Sequence, residues 1–458
     1  MSRKFTQPDY NATLKTPIIL GDALSASHLA RFVVDIVALL DLSQLYAHYK
    51  AQGGAAIAPE VLLALLFYGY ATGRFSSRKI EKATYEDLGC RYVAGGLHPD
   101  HATLALFRKT FLNELQGLFV QILLLAKLSG VLKIGNLSLD GTKIHADASK
   151  SKAVSYGRLT ELETALRAEV AQLFELGENA DQGEAELPDE LNILEEIAFR
   201  RARLERLSEA KAVLEKRAAE RYAVEKAEYD AKIQEREEKA RKRQQKPRGQ
   251  APKPPEPGPR DKDQYNFSDP DSRIMKNSIN QGYDQAYNAQ AAVTQDSRFI
   301  VAMSLSNHPN DKQEALPTLE ALSDQVGHAE NVSLDNGYFS ASNISALEAR
   351  GTNPHIATGR EGHYLRVVDL LGQSPDAPPA DASPREKMAY KLATDVGKKI
   401  YKLRKSTVEP VFGIIKEILG FRQFSLRGLK NVIGEWCLVC MAYNLKNMHS
   451  LWLANELY

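Results

Sequence analysis

Cysteine is scarce in this chain, with only Cys90, Cys437 and Cys440. Cys437 and Cys440 form a C-x-x-C pair, but inside the apolar run Trp436 to Tyr443, which reads as helical. A zinc site would need two further ligands, and there is no second cysteine pair. The expectation is buried helical thiols in a cytoplasmic protein. Long apolar runs are also missing. Val61 to Ala71 and Leu118 to Ala126 are too short to span a bilayer, and the polar segment Met1 to Ile19 lacks the apolar stretch of a signal peptide. A charge excess is missing too. The formal net charge is +1, so any basic surface must be local and balanced by acidic segments elsewhere.

What remains is ordinary soluble-protein composition: 43% hydrophobic and 26% charged over 458 residues. That length is a soft prior for about three domains.

Residues 1 to 135 are dominated by helical spacing. Leu29, Phe32, Val33, Ile36, Leu39 and Leu40 make one apolar face. Pro59 opens a helix with Leu62, Leu63, Leu66 and Phe67 inward, and Gly73 stops it. Ser76 is the expected cap of a short basic helix, Ser77 to Asp87, carrying Arg78, Lys79 and Lys82. Pro99-Asp100 starts another, with Leu104, Phe107 and Phe111 inward and Arg108 and Lys109 outward. Leu115 to Leu132 closes the set. Short helices, tight turns and exposed basic residues fit a helix-turn-helix-like module, and they fit a plain bundle with solvated charges equally well.

Composition shifts after Ser149. Leu159 to Leu176 and Leu191 to about Arg243 are rich in Glu, Lys, Arg and Ala, with no Gly or Pro inside either run. Leu194, Ile197, Leu204, Leu207 and Leu214 follow a heptad spacing. Gly177 to Asp189 reads as an acidic loop, and Lys246 to Pro259 as a disordered Pro-rich linker. Residues 150 to 265 are therefore expected to form an inserted antiparallel helical arm. Its basic end, Arg236 to Arg248, is either a phosphate contact or a solvated face.

The remaining parts, 136 to 149 and 266 to 458, read as one α/β domain. Leu137 to His145 is a strand with Asp140 among apolar neighbours. Asp140 either meets a cation or metal or begins an Asp-Gly turn. Asn288 to Thr294 and Phe299 to Leu305 form a hairpin, and Asp311 to Val326 an amphipathic helix. Asn331 to Leu334 is a strand delivering Asp335, Ser342 to Arg350 a helix, and His355 to Ala357 a strand. Gln373 to Pro384 is a polar loop. Ser406 is the expected cap of a helix with Val408, Val411, Phe412, Ile415 and Leu419 inward and Glu409 beside Lys416 on the neighbouring stripe. Two strand acids and one helix acid can surround an all-oxygen cation site that suits Mg²⁺ or Mn²⁺. Two such ions, about 3.5–4 Å apart, promote attack on a phosphodiester. Asp335 could instead start the Asn336-Gly337 turn, and Glu409 could be a first-turn carboxylate. Asp147, Asp269 and Asp271 are weaker candidates, the last two reading as a turn or salt bridge beside Arg273. His101 and His308 read as local hydrogen-bonding residues.

Several segments together resemble the DDE transposases of bacterial insertion sequences with an InsH-like N-terminal domain. They are Pro59 to Ala71, Gly73 to Arg78, Pro99-Asp100-His101, Leu139 to Lys143, Asp269 to Arg273, Tyr287 to Ala291, Asp335 to Tyr338 and Val408 to Gly413. The resemblance covers nearly everything but the arm. It implies an RNase H-like core with Asp140, Asp335 and Glu409 as catalytic, metal-binding triad, holding Mg²⁺ or Mn²⁺, two ions in all. It implies double-stranded DNA as partner, the element ends and the target, bound by a homodimer with no membrane involved. The family's Tyr, Arg, Glu, Lys signature matches at Tyr401, Glu409 and Lys416, but Arg404 lies one residue too far from Glu409. The arginine role divides between Arg404 and Lys405. Arg78, Lys79, Arg108, Lys109, Arg404, Lys405 and Lys416 are the candidate DNA contacts. The implied reaction is cleavage at the inverted repeats followed by 3′-OH strand transfer. A nuclease on the same core and a DNA-binding protein with a dead core are the alternatives.

Overall fold

The structure is a computed structural model that describes residues 19–49, 56–182, 192–244, 249–276, 282–359, 377–379 and 381–456. The polar N-terminus before Ile19, most of the acidic loop after Gln182, Lys246-Pro247-Arg248 and the start of the loop at Gln373 lie outside the described residues. The chain divides into two compact units, Met1–Ala146 with Ala286–Tyr458, and Asp147–Gln285.

The first unit begins with seven helices: α1 (Leu29–Ala38), α2 (Ser43–Tyr46), α3 (Pro59–Ala71), α4 (Ser77–Glu86), α5 (Leu88–Val93), α6 (His101–Thr110) and α7 (Leu115–Leu128). They do not stand apart as a 1-to-135 domain but belong to the same compact unit as the sheet. The reason lies in α3, which is buried on all sides from Leu62 to Ala71 rather than along one face. Asp87 and Asp100 cap α5 and α6 through the amides of Cys90 and Thr103. Ser76 precedes α4 but makes no side-chain cap bond. Leu39 falls just past α1 and is exposed.

Strand β1 (Asn136–His145) follows. The second unit then carries β2 (Ala153–Ser155), α8 (Tyr156–Asp181), α9 (Ile193–Arg243), β3 (Gln264–Asn266) and β4 (Arg273–Lys276). Within it, Tyr156 meets Glu215, Glu163 meets Lys211, and Glu169 meets Arg200, so α8 and α9 run antiparallel. Their seam is Leu159, Leu166, Leu207, Ala210 and Leu214. Leu194, expected on the seam, is exposed. The described part of the Pro-rich segment is tied to α9: Arg236 donates to the carbonyls of Gly249 and Gln250, and Arg221 to that of Gly258. Asp269 lies in a tight turn, where its carboxylate accepts the Asp271 amide.

The first unit resumes at Ala286, within β5 (Tyr283–Thr294), and continues with β6 (Ile300–Ser306), α10 (Ala315–Glu320), β7 (Asn331–Leu334), α11 (Ala341–Ala349) and β8 (Asn353–Ile356). It ends with α12 (Pro384–Ala393), α13 (Asp395–Gly413), a π-helical turn (Ile414–Ile418) and α14 (Leu429–Glu456). The amphipathic pattern from Asp311 yields only the short α10. Hydrogen bonding orders the strands β6-β5-β1-β7-β8. β6, β5 and β1 are antiparallel, whereas β1, β7 and β8 are parallel. An asparagine ladder, Asn353 to Asn331 to Asn136, joins the starts of the parallel strands, each step 2.8 Å. Cys437 and Cys440 are buried in α14, as expected, and burial pushes both thiols up. Among the described residues no single helix is long and apolar enough to cross a membrane.

Candidate active site

The C-terminal ends of the parallel strands are where open α/β sheets place their ligand sites. Here β1 delivers Asp140 and β7 delivers Asp335. The parallel pairing runs Asn136 to Asn331, Leu137 to Val332 and Ser138 to Ser333. Carried two residues further, the same register sets Asp335 opposite Asp140. Neighbouring strands lie about 4.8 Å apart, so the two backbones approach at this point. β1 continues unbroken past Asp140 to His145, which removes the Asp-Gly turn as an explanation for this aspartate.

Helix α13 covers the Asp140 face. Thr407 donates to Ser138 at 2.7 Å, and Gln295 reaches Ser138, Ser333 and the Ile400 carbonyl. These buried polar bonds fix how α13 sits on β1 and β7. Two residues beyond each end of the Ser138–Thr407 bond lie Asp140 and Glu409. Thr394, not Ser406, caps α13, so Glu409 lies well inside the helix, past any first-turn role. Its carboxylate is half exposed.

Of the two candidates for the signature arginine, Arg404 is the one that faces the acids. It is buried on α13, its Nη1 donates to Asp140 Oδ2 at 3.0 Å, and its Nη2 lies 3.7 Å from Glu409 Oε1. Lys405, one residue on, is exposed. Burial pushes the Asp140 carboxyl up from 3.8 to about 6; Arg404 opposes this and Asp335 adds to it. Burial raises Asp335 as well, against the Gly337 amide that its Oδ1 accepts at 2.7 Å. Asp335 therefore both caps its turn and contributes charge to the site.

The oxygen donors of Asp140, Asp335 and Glu409 suit a hard divalent cation. Among the described residues, however, no group of three or more His, Cys, Asp or Glu is arranged to hold a metal. Arg404 stands between two of the acids instead.

Of the other candidates, Arg78, Lys79 and Lys109 are exposed. Arg108 is not: it is 7% exposed, donates to Tyr70 Oη at 2.8 Å and the Phe75 carbonyl at 3.1 Å, and faces buried Glu435 at 3.9 Å. Its expected outward position is corrected, because an arginine enclosed by protein partners presents no charge to DNA. Lys416 lies on the π-helical turn and donates to the Lys143 carbonyl of β1 at 2.9 Å, rather than lying free on the helix stripe. His101 and His308 pair locally with Glu81 and Glu314, as expected.

Asp311 is a residue of this region that sequence pattern does not single out. It accepts bonds from Asn288, Gln290 and Lys143. Its position at the head of a segment that reads as an amphipathic helix, Asp311 to Val326, hides it among ordinary surface acids.

Residues 256–445 match the family model described as Transposase DDE domain, and residues 19–110 match Transposase domain (DUF772). The two matches together span more than half of the chain. The chain belongs to the DDE transposases. Asp335, Glu409 and Arg404 lie inside the first match, and Arg78, Lys79, Arg108 and Lys109 inside the second. No curated protein and no solved structure matches the chain. The transposase is thus an enzyme that acts on DNA, of the kind carried by insertion sequences.

Proposed function

We propose that this transposase binds the terminal inverted repeats of its insertion sequence, cleaves there, and joins the freed 3′-OH to target DNA. The observation that carries the reading is the shared register of Asp140 and Asp335 on adjacent parallel strands, with Glu409 and Arg404 supplied by the covering α13. The sheet with its parallel half and covering helices supports an RNase H-like core.

Asp140, Asp335 and Glu409 would hold Mg²⁺ or Mn²⁺, two ions in all. The bound ions would lower the cost of charge on the attacking and leaving oxygens at the phosphodiester. The protein's own part is electrostatic and positional. Asp140 and Asp335 bring paired carboxylates to one strand end. Arg404 keeps Asp140 aimed and ionised in a buried setting. Exposed Lys405 lies close by for the DNA backbone. Arg78, Lys79 and Lys109 are the surface cations proposed for end binding, and a homodimer would present one site to each end in the cytoplasm.

The test uses the full chain and duplex DNA carrying the element's ends. Asp140→Asn keeps the side chain's shape but loses the charge. End cleavage in Mg²⁺ should be lost while a gel shift with the same DNA stays near wild type. Cleavage that survives the substitution refutes the assignment, and cleavage without any joining of the 3′-OH leaves a nuclease.

A further inference from the structure

On the face of β1 opposite Asp140, a polar network runs from strand to turn. Gly141 and Lys143 pair with Gln290 and Asn288 of β5. The Asp311 carboxylate accepts Asn288 Nδ2 at 2.6 Å, Gln290 Nε2 at 3.0 Å and Lys143 Nζ at 3.3 Å. Gln290 Oε1 in turn accepts the buried Tyr338 hydroxyl. Tyr338 ends the turn that begins at Asp335. A second link runs in parallel: buried Asn343 donates to the carbonyls of Lys312 and Tyr338, each at 2.8 Å. The loop at Asp311 is therefore joined twice to the turn of Asp335. The network also presses close against β1. A Cβ on Gly141 would lie 2.2 Å from Gln290 Nε2 and 2.8 Å from Asp311 Oδ1. Glycine is what lets these side chains reach the backbone next to Asp140.

We propose that Asp311 is a positioning residue, whose carboxylate gathers Lys143, Asn288 and Gln290 and, through Gln290 and Tyr338, holds the turn of Asp335 in register with Asp140. The inference rests on the reading of Asp140 and Asp335 as cation-holding acids. Asp311 touches neither the DNA nor the cation in this scheme. Lys143 and the two amides all meet its Oδ1, and the role proposed for it is to order the neighbouring acids rather than to join them.

The experiment titrates Mn²⁺ into the full chain without DNA, by electron paramagnetic resonance, for wild type, Asp140→Asn, Asp311→Asn and Tyr338→Phe. Thermal midpoints confirm folding. Tyr338→Phe removes one hydroxyl and leaves every bond to Asp311 in place. Both Asp311→Asn and Tyr338→Phe should weaken Mn²⁺ binding by about 10–100-fold, as loss of a group that orients a ligand does. Cleavage of end DNA should fall in kcat with KM for DNA unchanged. If Tyr338→Phe binds Mn²⁺ like wild type while Asp311→Asn does not, Asp311 is itself a ligand and the positioning role is wrong. Wild-type binding in both variants also overturns it. If Asp140→Asn binds Mn²⁺ as well as wild type, the reading of the acids themselves has failed, and the positioning role with it.

Discussion

Arg404 Nη1 donates to Asp140 Oδ2 at 3.0 Å, joining a buried helix cation to a strand carboxylate 264 positions away in sequence. The pair explains how an aspartate is kept within strand β1 among buried neighbours. Removing a charge from water is costly unless it is paired and hydrogen-bonded. The pairing is incomplete, because Asp140 remains raised to about 6.

A stability test follows from that shift. The Asp140 carboxyl binds its proton more tightly in the folded chain than at its ordinary value of 3.8. Its contribution to stability is therefore full below about pH 4 and is lost as pH rises through about 6. One pKa unit is about 1.4 kcal/mol, so the loss is on the order of 3 kcal/mol by pH 8. Asp140→Asn does not titrate, and Arg404 stays charged throughout. The variant should gain on wild type by that order between pH 4 and pH 8, in urea unfolding with EDTA present. A difference that does not change with pH would sink the explanation.

Arg108 gives a prediction of the opposite kind. It is enclosed with Tyr70 and Glu435, and Glu435 also accepts the amides of Ser425 and Leu426. Arg108→Ala leaves Glu435 buried without its cation. A loss of about 3–5 kcal/mol is expected. A surface arginine would cost far less, so a chain that unfolds at the wild-type urea midpoint would return Arg108 to the surface.

Lys416 and the pair Arg78 and Lys79 separate structure from DNA binding. Lys416→Ala loses the bond to the Lys143 carbonyl, and should cost about 1 kcal/mol of stability. The slope of log K against log salt for end DNA should then stay as in wild type. Replacing exposed Arg78 and Lys79 by Ala should do the reverse. It should lower that slope by about 0.9 for each phosphate no longer neutralised, without a change in stability. Fluorescence anisotropy over a salt series decides between them. A flattened slope in Lys416→Ala would show that its ammonium leaves β1 for the DNA.

Much of the chain's local structure could be read from residue pattern. The alternation around Asp140, the hairpin of β5 and β6, and the apolar run before Asp335 each specify an element by its own periodicity. The long helices of the second unit follow from unbroken Glu, Lys, Arg and Ala with leucines at heptad spacing. Side-chain chemistry singled out Asp140, because a carboxylate in an apolar strand calls for a partner, and the family resemblance added Asp335 and Glu409 to it.

The tertiary structure decided what those elements face. Strand pattern places Asp140 within one strand and Asp335 at the end of another; only the parallel pairing of β1 with β7 sets them opposite each other, and the Ser138–Thr407 bond brings α13 over them. Arg404 and Lys405 are adjacent in sequence, and only the rotation of α13 turns Arg404 inward to Asp140. Arg108 and Lys109 are likewise adjacent cations on α6, yet one is buried against Tyr70 and the other exposed. Periodicity within a segment reports which residues share a face. It carries no information about which partner covers that face, because that depends on contacts between residues far apart in the chain.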